Sequence, residues 1–363
     1  MDAPVFILSS AHDPHASALA WALRRNGVPS RLNQSIRVDQ NTRISISLDE
    51  YGQHTVMNGF DVSHVRSIWY RRPMFPDVDR CIEADRSFIN GQWRFLQKNV
   101  FDLADNLVDT LWVNRPNAAE FAESKLAQLQ AARAAGLKVP DTVVGNDAVE
   151  VAALVARYGH AVFKTFYPQS WQSEGSGRTY KMSVVPLDAN TQLPDSAIGI
   201  SPGIYQQYID KVFDIRVTII GSKLFAIQMR KANGDAYFDW RPCSFDEDMR
   251  VTVFNVNAAL EAKLRGILRR LGIVFGCFDL VVDREGEVYF LEVNQAGAFL
   301  FVEESLPELP ILRAMAAMLS AGRTDYSLGD CVDVRFSGYL DSDEYREISA
   351  VPHDLGQQVA IEP

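Results

Sequence analysis

Apolar and polar positions follow two periods along the chain, and the switches between them mark its elements. The apolar run PVFIL reads as a strand, SSAHDPH as a loop, and ASALAWALRRNG as a helix closing on Gly27. Strands are expected at ISISL and VRSIWY, and an amphipathic helix over about 84–108 completes an α/β first domain. A second unit starts with Asn117 capping AAEFAESKLAQLQAARAAG, Glu120 completing a capping box and Gly136 stopping the helix. A strand TVVG, a helix DAVEVAALVARYG and a strand AVFKTF follow, then a polar, glycine-bearing segment from Pro168 to Thr179 that reads as a mobile loop. From Pro202 the pattern predicts two hairpins, a helix at AALEAKLRGILRRLG and a last helix at PILRAMAAMLSAG. The expected divisions are 1–115, 116–190, 191–325 and a tail, 326–363, with no assigned role.

Composition narrows the classes. A chain of 363 residues, 47% apolar, can bury more than one core. The net charge of −10 argues against bulk electrostatic binding of nucleic acid or an anionic membrane. MDAPVFILSSAHD has no basic stretch ahead of an apolar core, so the chain reads as cytoplasmic. Cys81, Cys243, Cys277 and Cys331 lack the spacing of a zinc site or disulfide framework and read as reduced, buried thiols.

The sharpest chemical signal is CFDLVVDREGEVYFLEVN, two strands joined by a turn at Asp283–Gly286. If Val282 pairs with Glu287, Asp279 lies opposite Phe290, and alternation puts Asp279, Glu292 and Asn294 on one face. Burying two carboxylates there is costly without a cation, which favours a hard metal held together with phosphates. The alternative is a set of ordinary strand-end residues. A second hairpin, turning at Gly221-Ser222, carries Asp214, Arg216 and Thr218 on one face. A two-residue turn places Arg230 on the opposite face from Arg216, whereas a three-residue turn with a bulge brings them together. Lys164 lies amid Val162, Phe163 and Phe166, where its ammonium suits a phosphate; Lys125 sits on the capped helix. Neither a P-loop nor a dinucleotide fingerprint is present.

In their order these pieces resemble the ATP-grasp superfamily over about 115–320: lysine helix, strand lysine, flexible loop, hinge, arginine strand and D…E-x-N hairpin. Within it, DIRVTIIG, Asp239-Trp240-Arg241, the D…E-x-N hairpin and IWYRRP at 68–73 are similar to segments of the graspetide or microviridin synthetases, which macrocyclise peptides. The resemblance implies an α/β (α+β) ATP-grasp fold of three subdomains, with ATP held between central and C-terminal antiparallel sheets. It assigns Lys125 and Lys164 to ATP phosphates and adenine, and Gln206, Gln207, Tyr208 and Ile209 to the adenine hinge. It assigns Asp279, Glu292 and Asn294 to Mg2+, and Arg216 and Arg230 to the reacting phosphoryl and acyl groups. Asp214, Asp239, Trp240 and Arg241, with Arg71 and Arg72 of IWYRRP, fall on the substrate side. The implied partner is a ribosomal precursor peptide of leader plus core, and the implied assembly a homodimer. The implied reaction activates an Asp or Glu side chain as an acyl phosphate and closes an ω-ester or ω-amide bond. A carboxylate–amine ligase acting on amino acids or a protein tail, and a non-catalytic nucleotide or peptide binder, stay open beside it. The chain departs from the family after the metal motif: Asn294-Gln295-Ala296-Gly297-Ala298-Phe299 stands where N-P-N-G and an aromatic are usual.

Overall fold

A computed structural model describes residues 3–10, 13–34, 43–50, 52–72, 82–102, 107, 109–166, 170–172, 179–181, 184–188, 193–234, 237–238 and 248–350. The N-terminal unit comprises β1 (Val5–Ser9), α1 (Pro14–Arg25), β2 (Ser30–Gln34), β3 (Ile44–Asp49), β4 (Gly52–Met57), β5 (Phe60–Asp61), β6 (Ser67–Tyr70), α2 (Glu83–Asp102) and β7 (Leu111–Val113). Its parallel sheet has the order β2-β1-β6-β7, and β3-β4-β5 form a small antiparallel sheet. Strand β1 is buried along its whole length, as a strand in a parallel sheet covered on both faces must be.

The helix expected from Asn117 to Gly136 is two helices, α3 (Pro116–Glu123) and α4 (Lys125–Ala134). Arg115 stands at the N-cap of α3 without capping the helix through its side chain, and Asn117 lies inside the helix. Pro116 occupies the first helical position, where its fixed φ fits and its missing N–H costs nothing, so the start falls ahead of Asn117. Ser124 leaves the helical region with ψ 109°, closes α3, and accepts from the Ala127 N–H as the N-cap of α4. Lys125 therefore heads a helix instead of lying inside one.

The central sheet has the order β12-β9-β13-β8. Its strands are β8 (Thr142–Gly145), β9 (His160–Lys164), β12 (Val185–Asp188) and β13 (Gly203–Gln207), with α5 (Ala148–Tyr158) and α6 (Asp195–Ile200) between them. Its core joins Val151 and Leu154 of α5 to Ala161, Phe163, Leu187 and Tyr205 of the strands. In the segment expected as a loop, β10 (Ser170–Gln172) and β11 (Thr179–Lys181) pair antiparallel.

The largest sheet is antiparallel, β16-β15-β14-β17-β18. It is built from β14 (Lys211–Ile220), β15 (Lys223–Lys231), β16 (Met249–Val253), β17 (Phe275–Asp283) and β18 (Val288–Asn294), with α7 (Ala258–Leu271) after β16. Two boundaries shift from the expected divisions. Strand β13 belongs to the central sheet, so that unit runs to Gln207, and α4 packs with α7 against the large sheet. One face of the large sheet buries Ile215, Val217, Ile219, Phe278 and Leu280 under Leu129 of α4 and Leu264, Ile267 and Leu268 of α7. The other face shares a core with the N-terminal unit through Phe275, Cys277, Ile227, Trp69 and Phe299. The short α8 (Leu300–Ser305) and the nearly all-apolar α9 (Ile311–Ala321) complete that core.

The described part of the tail has a structural place. Helices α10 (Phe336–Leu340) and α11 (Asp343–Ala350) contact α1, where the Tyr339 ring meets Trp21 at 5.9 Å, and Cys331 and Val334 join the same core. Cys277 and Cys331 are buried free thiols; Cys81 and Cys243 lie outside the described residues.

Candidate functional site

The D…E-x-N hairpin forms with a different register from the one expected. Val282 pairs with Val288, and the register shifts between Asp279 and Leu280, so Asp279 lies opposite Glu292 instead of Phe290. A bulge adds a residue to one strand, and here it makes the two carboxylates direct cross-strand neighbours. Arg216 pairs with Asp279 from the other side, so Arg216, Asp279 and Glu292 form a row across β14, β17 and β18.

Each carboxylate in this row already has a cation. Arg216 Nη1 lies 2.7 Å from Asp279 Oδ1, and Lys125 Nζ lies 2.7 Å from Glu292 Oε2. Asn294 bridges them, its amide donating to Glu292 Oε1 at 3.1 Å and Asp279 Oδ2 at 3.5 Å. Arg216 and Asp279 are only 4% and 7% exposed, so each needs the other for compensation. Burial works against the guanidinium charge, and the Asp279 carboxylate more than restores it, so Arg216 stays charged.

Arg230 does not join the row. Ile220 pairs with Lys223, so the turn has two residues; Arg216 then faces Ile227, and Arg230 falls on the opposite face, exposed. Asp214 shares the face of Arg216, is 4% exposed and is held by Lys211 Nζ at 2.9 Å. On the central sheet, before the connecting segment 208–210, Lys164 Nζ donates to Gln206 Oε1 at 2.8 Å, and Gln206 Nε2 donates to Thr142 Oγ1 at 3.0 Å. Gln207 accepts from the Asp141 N–H at 3.3 Å, Tyr208 packs on Phe238, and Ile209 is buried. Asp239, Trp240 and Arg241 lie outside the described residues.

Arg71 and Arg72 arrive from the N-terminal unit, just after β6. Arg72 is exposed and donates to Ala296 O at 3.1 Å. Arg71 is 2% exposed, with Nε 2.6 Å from Asp13 Oδ2, and its guanidinium lies over the Trp69 and Phe299 rings at 5.1 and 5.7 Å. Its guanidinium, expected on the substrate side, is thus enclosed by the protein's own groups among the described residues.

Sequence reasoning missed three residues of this cluster. Asp13 N-caps α1, accepting from the His15 N–H, and Pro14 stands at the first helical turn; that Asp-Pro pair was the available signal. His15 packs on Phe299 at 4.8 Å, and nothing in its surroundings in sequence marks it. Asn114 accepts from the Val274 and Phe275 N–H groups and donates to Phe275 O and Gln295 O.

Burial pushes the His15 imidazole well below its ordinary 6.5, and the Arg71 charge pushes it the same way, against the weaker pull of Asp13; Arg72 and Arg216 add to the depression. The folded state therefore keeps His15 neutral while the unfolded chain takes up a proton as pH falls through 6.5. Stability should drop with acid from that point, by at most about 1.4 kcal/mol per pH unit for this group. Urea melts between pH 7 and pH 5 should show this slope in the parent and a flatter one in His15→Gln.

Among the described residues no three His, Cys, Asp or Glu side chains cluster as metal ligands; the candidate set takes its third donor from Asn294. Its donors fit a hard divalent cation: two carboxylates and an amide on adjacent strands, with cations already beside them as a phosphate site requires.

No family model matches the sequence, and no curated protein matches it. Solved structures do. A RiPP-associated ATP-grasp ligase of Chryseobacterium gregarium, in complex with ADP and a leader and core peptide, aligns with a TM-score of 0.79 at 18% identity, over 90% of this chain and 99% of that one. The macrocyclase MdnC of Microcystis aeruginosa, bound with its precursor peptide MdnA, aligns at 0.74 and 20% identity, over 87% and 98%. The ATP-grasp ligase PsnB, with a minimal precursor, Mg and ADP, aligns at 0.69 and 19% identity, over 88% and 97%. The chain has the ATP-grasp fold.

Proposed function

We propose that this ATP-grasp chain is an ADP-forming ligase that activates Asp or Glu side chains of a ribosomally made precursor peptide and closes ω-ester or ω-amide crosslinks. The observation that carries the reading is the row Arg216–Asp279–Glu292, completed by Asn294 and Lys125. It combines a hard-cation donor set with fixed cations, and Lys164 lies across the hinge on the central sheet. Asp279, Glu292 and Asn294 would hold Mg2+, which when bound neutralises phosphate oxygens and polarises the γ-phosphoryl group.

The chain's own residues do the rest. Lys125 and Lys164 bind ATP phosphates and adenine, and Gln206 to Ile209 line the adenine. Arg216 holds Asp279 in place and supplies positive charge beside the reacting groups. A substrate carboxylate oxygen attacks the γ-phosphorus, the bond to ADP breaks, and an acyl phosphate forms. A Ser or Thr hydroxyl or a Lys amine of the same peptide then attacks the acyl carbon; phosphate leaves and a proton is released. Proximity supplies much of the acceleration, because acceptor and acyl group belong to one chain. Asp214 and Arg72 stand on the substrate side. Arg230 has no part in this scheme, because its strand register turns it away from the row. Cytoplasmic location and a homodimeric assembly belong to the same proposal; among the described residues no helix is long and apolar enough to cross a membrane.

ADP release by the purified chain with Mg-ATP, compared between any short acidic, Thr- or Lys-bearing peptide found to be encoded beside its gene and free amino acids, tests the reading. Peptide-dependent ADP supports it. ADP formation with free amino acids alone would move the chain to the small-acceptor ligases, and no turnover with either would favour a binding role.

A further inference from the structure

The segment that departs from the family pattern, Gln295 to Phe299, directly follows the candidate metal ligand Asn294 and is gripped along its backbone. Four consecutive carbonyls accept from side chains. Asn114 Nδ2 donates to Gln295 O at 3.1 Å. Arg71 Nη1 donates to Ala296 O at 3.2 Å and Gly297 O at 3.1 Å, and Arg72 also reaches Ala296 O. Arg216 Nη2 donates to Ala298 O at 2.8 Å while its Nη1 holds Asp279. One guanidinium therefore ties the segment to a metal carboxylate, and a second ties it to the N-terminal unit.

Arg71 is set for this task. A buried guanidinium is costly without a counter-charge, and Asp13 supplies one at 2.6 Å, itself fixed by Ser9 Oγ at 2.8 Å and by the His15 N–H. Trp69 and Phe299 cover the guanidinium, and its Nη2 is enclosed without a partner among the described residues. Gly297 lets the segment lie this close, since a Cβ there would sit 2.7 Å from Cys277 Cβ and 3.0 Å from Arg216 Nη2. A lysine could pair with Asp13 but has no planar fork to hold two carbonyls and the carboxylate together.

We propose that Arg71, anchored by Asp13, is a positioning residue through which the N-terminal unit sets the segment 295–298 and hence the donor atoms of Asn294, Asp279 and Glu292. The inference rests on the reading of these three residues as Mg2+ ligands. The test is the Mg2+ concentration that gives half-maximal ADP binding, measured by calorimetry without peptide on the full chain. Arg71→Lys should stay folded and raise that concentration about tenfold, the lower end of what losing an outer-shell partner does to a metal site. Asp13→Asn should move it the same way by less. Val62→Ala, a truncation in the separate core of the N-terminal unit that holds Phe6, Leu8 and Met57, lowers the melting temperature and should leave the Mg2+ midpoint unchanged. An unchanged midpoint in folded Arg71→Lys, or an equal shift in Val62→Ala, would overturn the positioning role. If the parent chain binds ADP with no Mg2+ dependence, the metal assignment falls, and this inference with it.

Discussion

Glu292→Ala is expected to cut turnover by about 10³-fold while leaving the fold intact. Glu292 lies at the edge of the large sheet, and its partner Lys125 is partly exposed, so losing the carboxylate strands no deeply buried charge. It does remove one of two carboxylates facing the proposed cation and frees Lys125 from its fixed place. Removing a single preorganised electrostatic group costs roughly 10²- to 10³-fold in rate, and a metal carboxylate should reach the upper end. Steady-state ADP release alongside a thermal melt checks both halves. Normal activity in a folded Glu292→Ala protein would refute the metal assignment.

Arg216→Met should have the largest effect on stability. It leaves Asp279 ionised and nearly buried with its nearest cation gone, and it frees Ala298 O. Breaking a buried pair from one side costs about 3–5 kcal/mol, a large share of the stability of any domain. Urea denaturation measures it. The pair Arg216→Met, Asp279→Leu replaces both charges with apolar groups and should recover most of the loss without recovering activity. If Arg216→Met alone melts like the parent, Asp279 is not compensated by Arg216 in the way the geometry implies.

Much of this was legible in the sequence, and the reasons differ by element. The hairpin ending in Asn294 announces itself through β-rich runs on either side of Asp283–Gly286, and the common face of Asp279, Glu292 and Asn294 follows from alternation. The bulge at Asp279 does not, because it depends on how β17 packs between two neighbours. The turn at Gly221-Ser222 left two registers open for Arg230, and the structure takes the two-residue one. In the lysine helix, Ser124 looks like an ordinary helical residue; the break there becomes visible only when Pro116 is given the first helical position. The burial of Arg71 was the least legible feature. An arginine after an apolar strand carries no local sign of it, because the burial depends on Asp13, 58 positions away in sequence, and on carbonyls more than two hundred positions further on. Long-range compensation of a charge leaves no local pattern.

The most direct test of the central claim is the intact mass of a candidate precursor, a short acidic, Thr- or Lys-bearing peptide encoded beside the gene, after incubation with the chain and Mg-ATP. The account predicts loss of one water for each crosslink, matched by one ADP, with fragmentation joining an Asp or Glu side chain to a Ser, Thr or Lys. An unchanged peptide mass under conditions where the chain turns over ATP on another acceptor would contradict it.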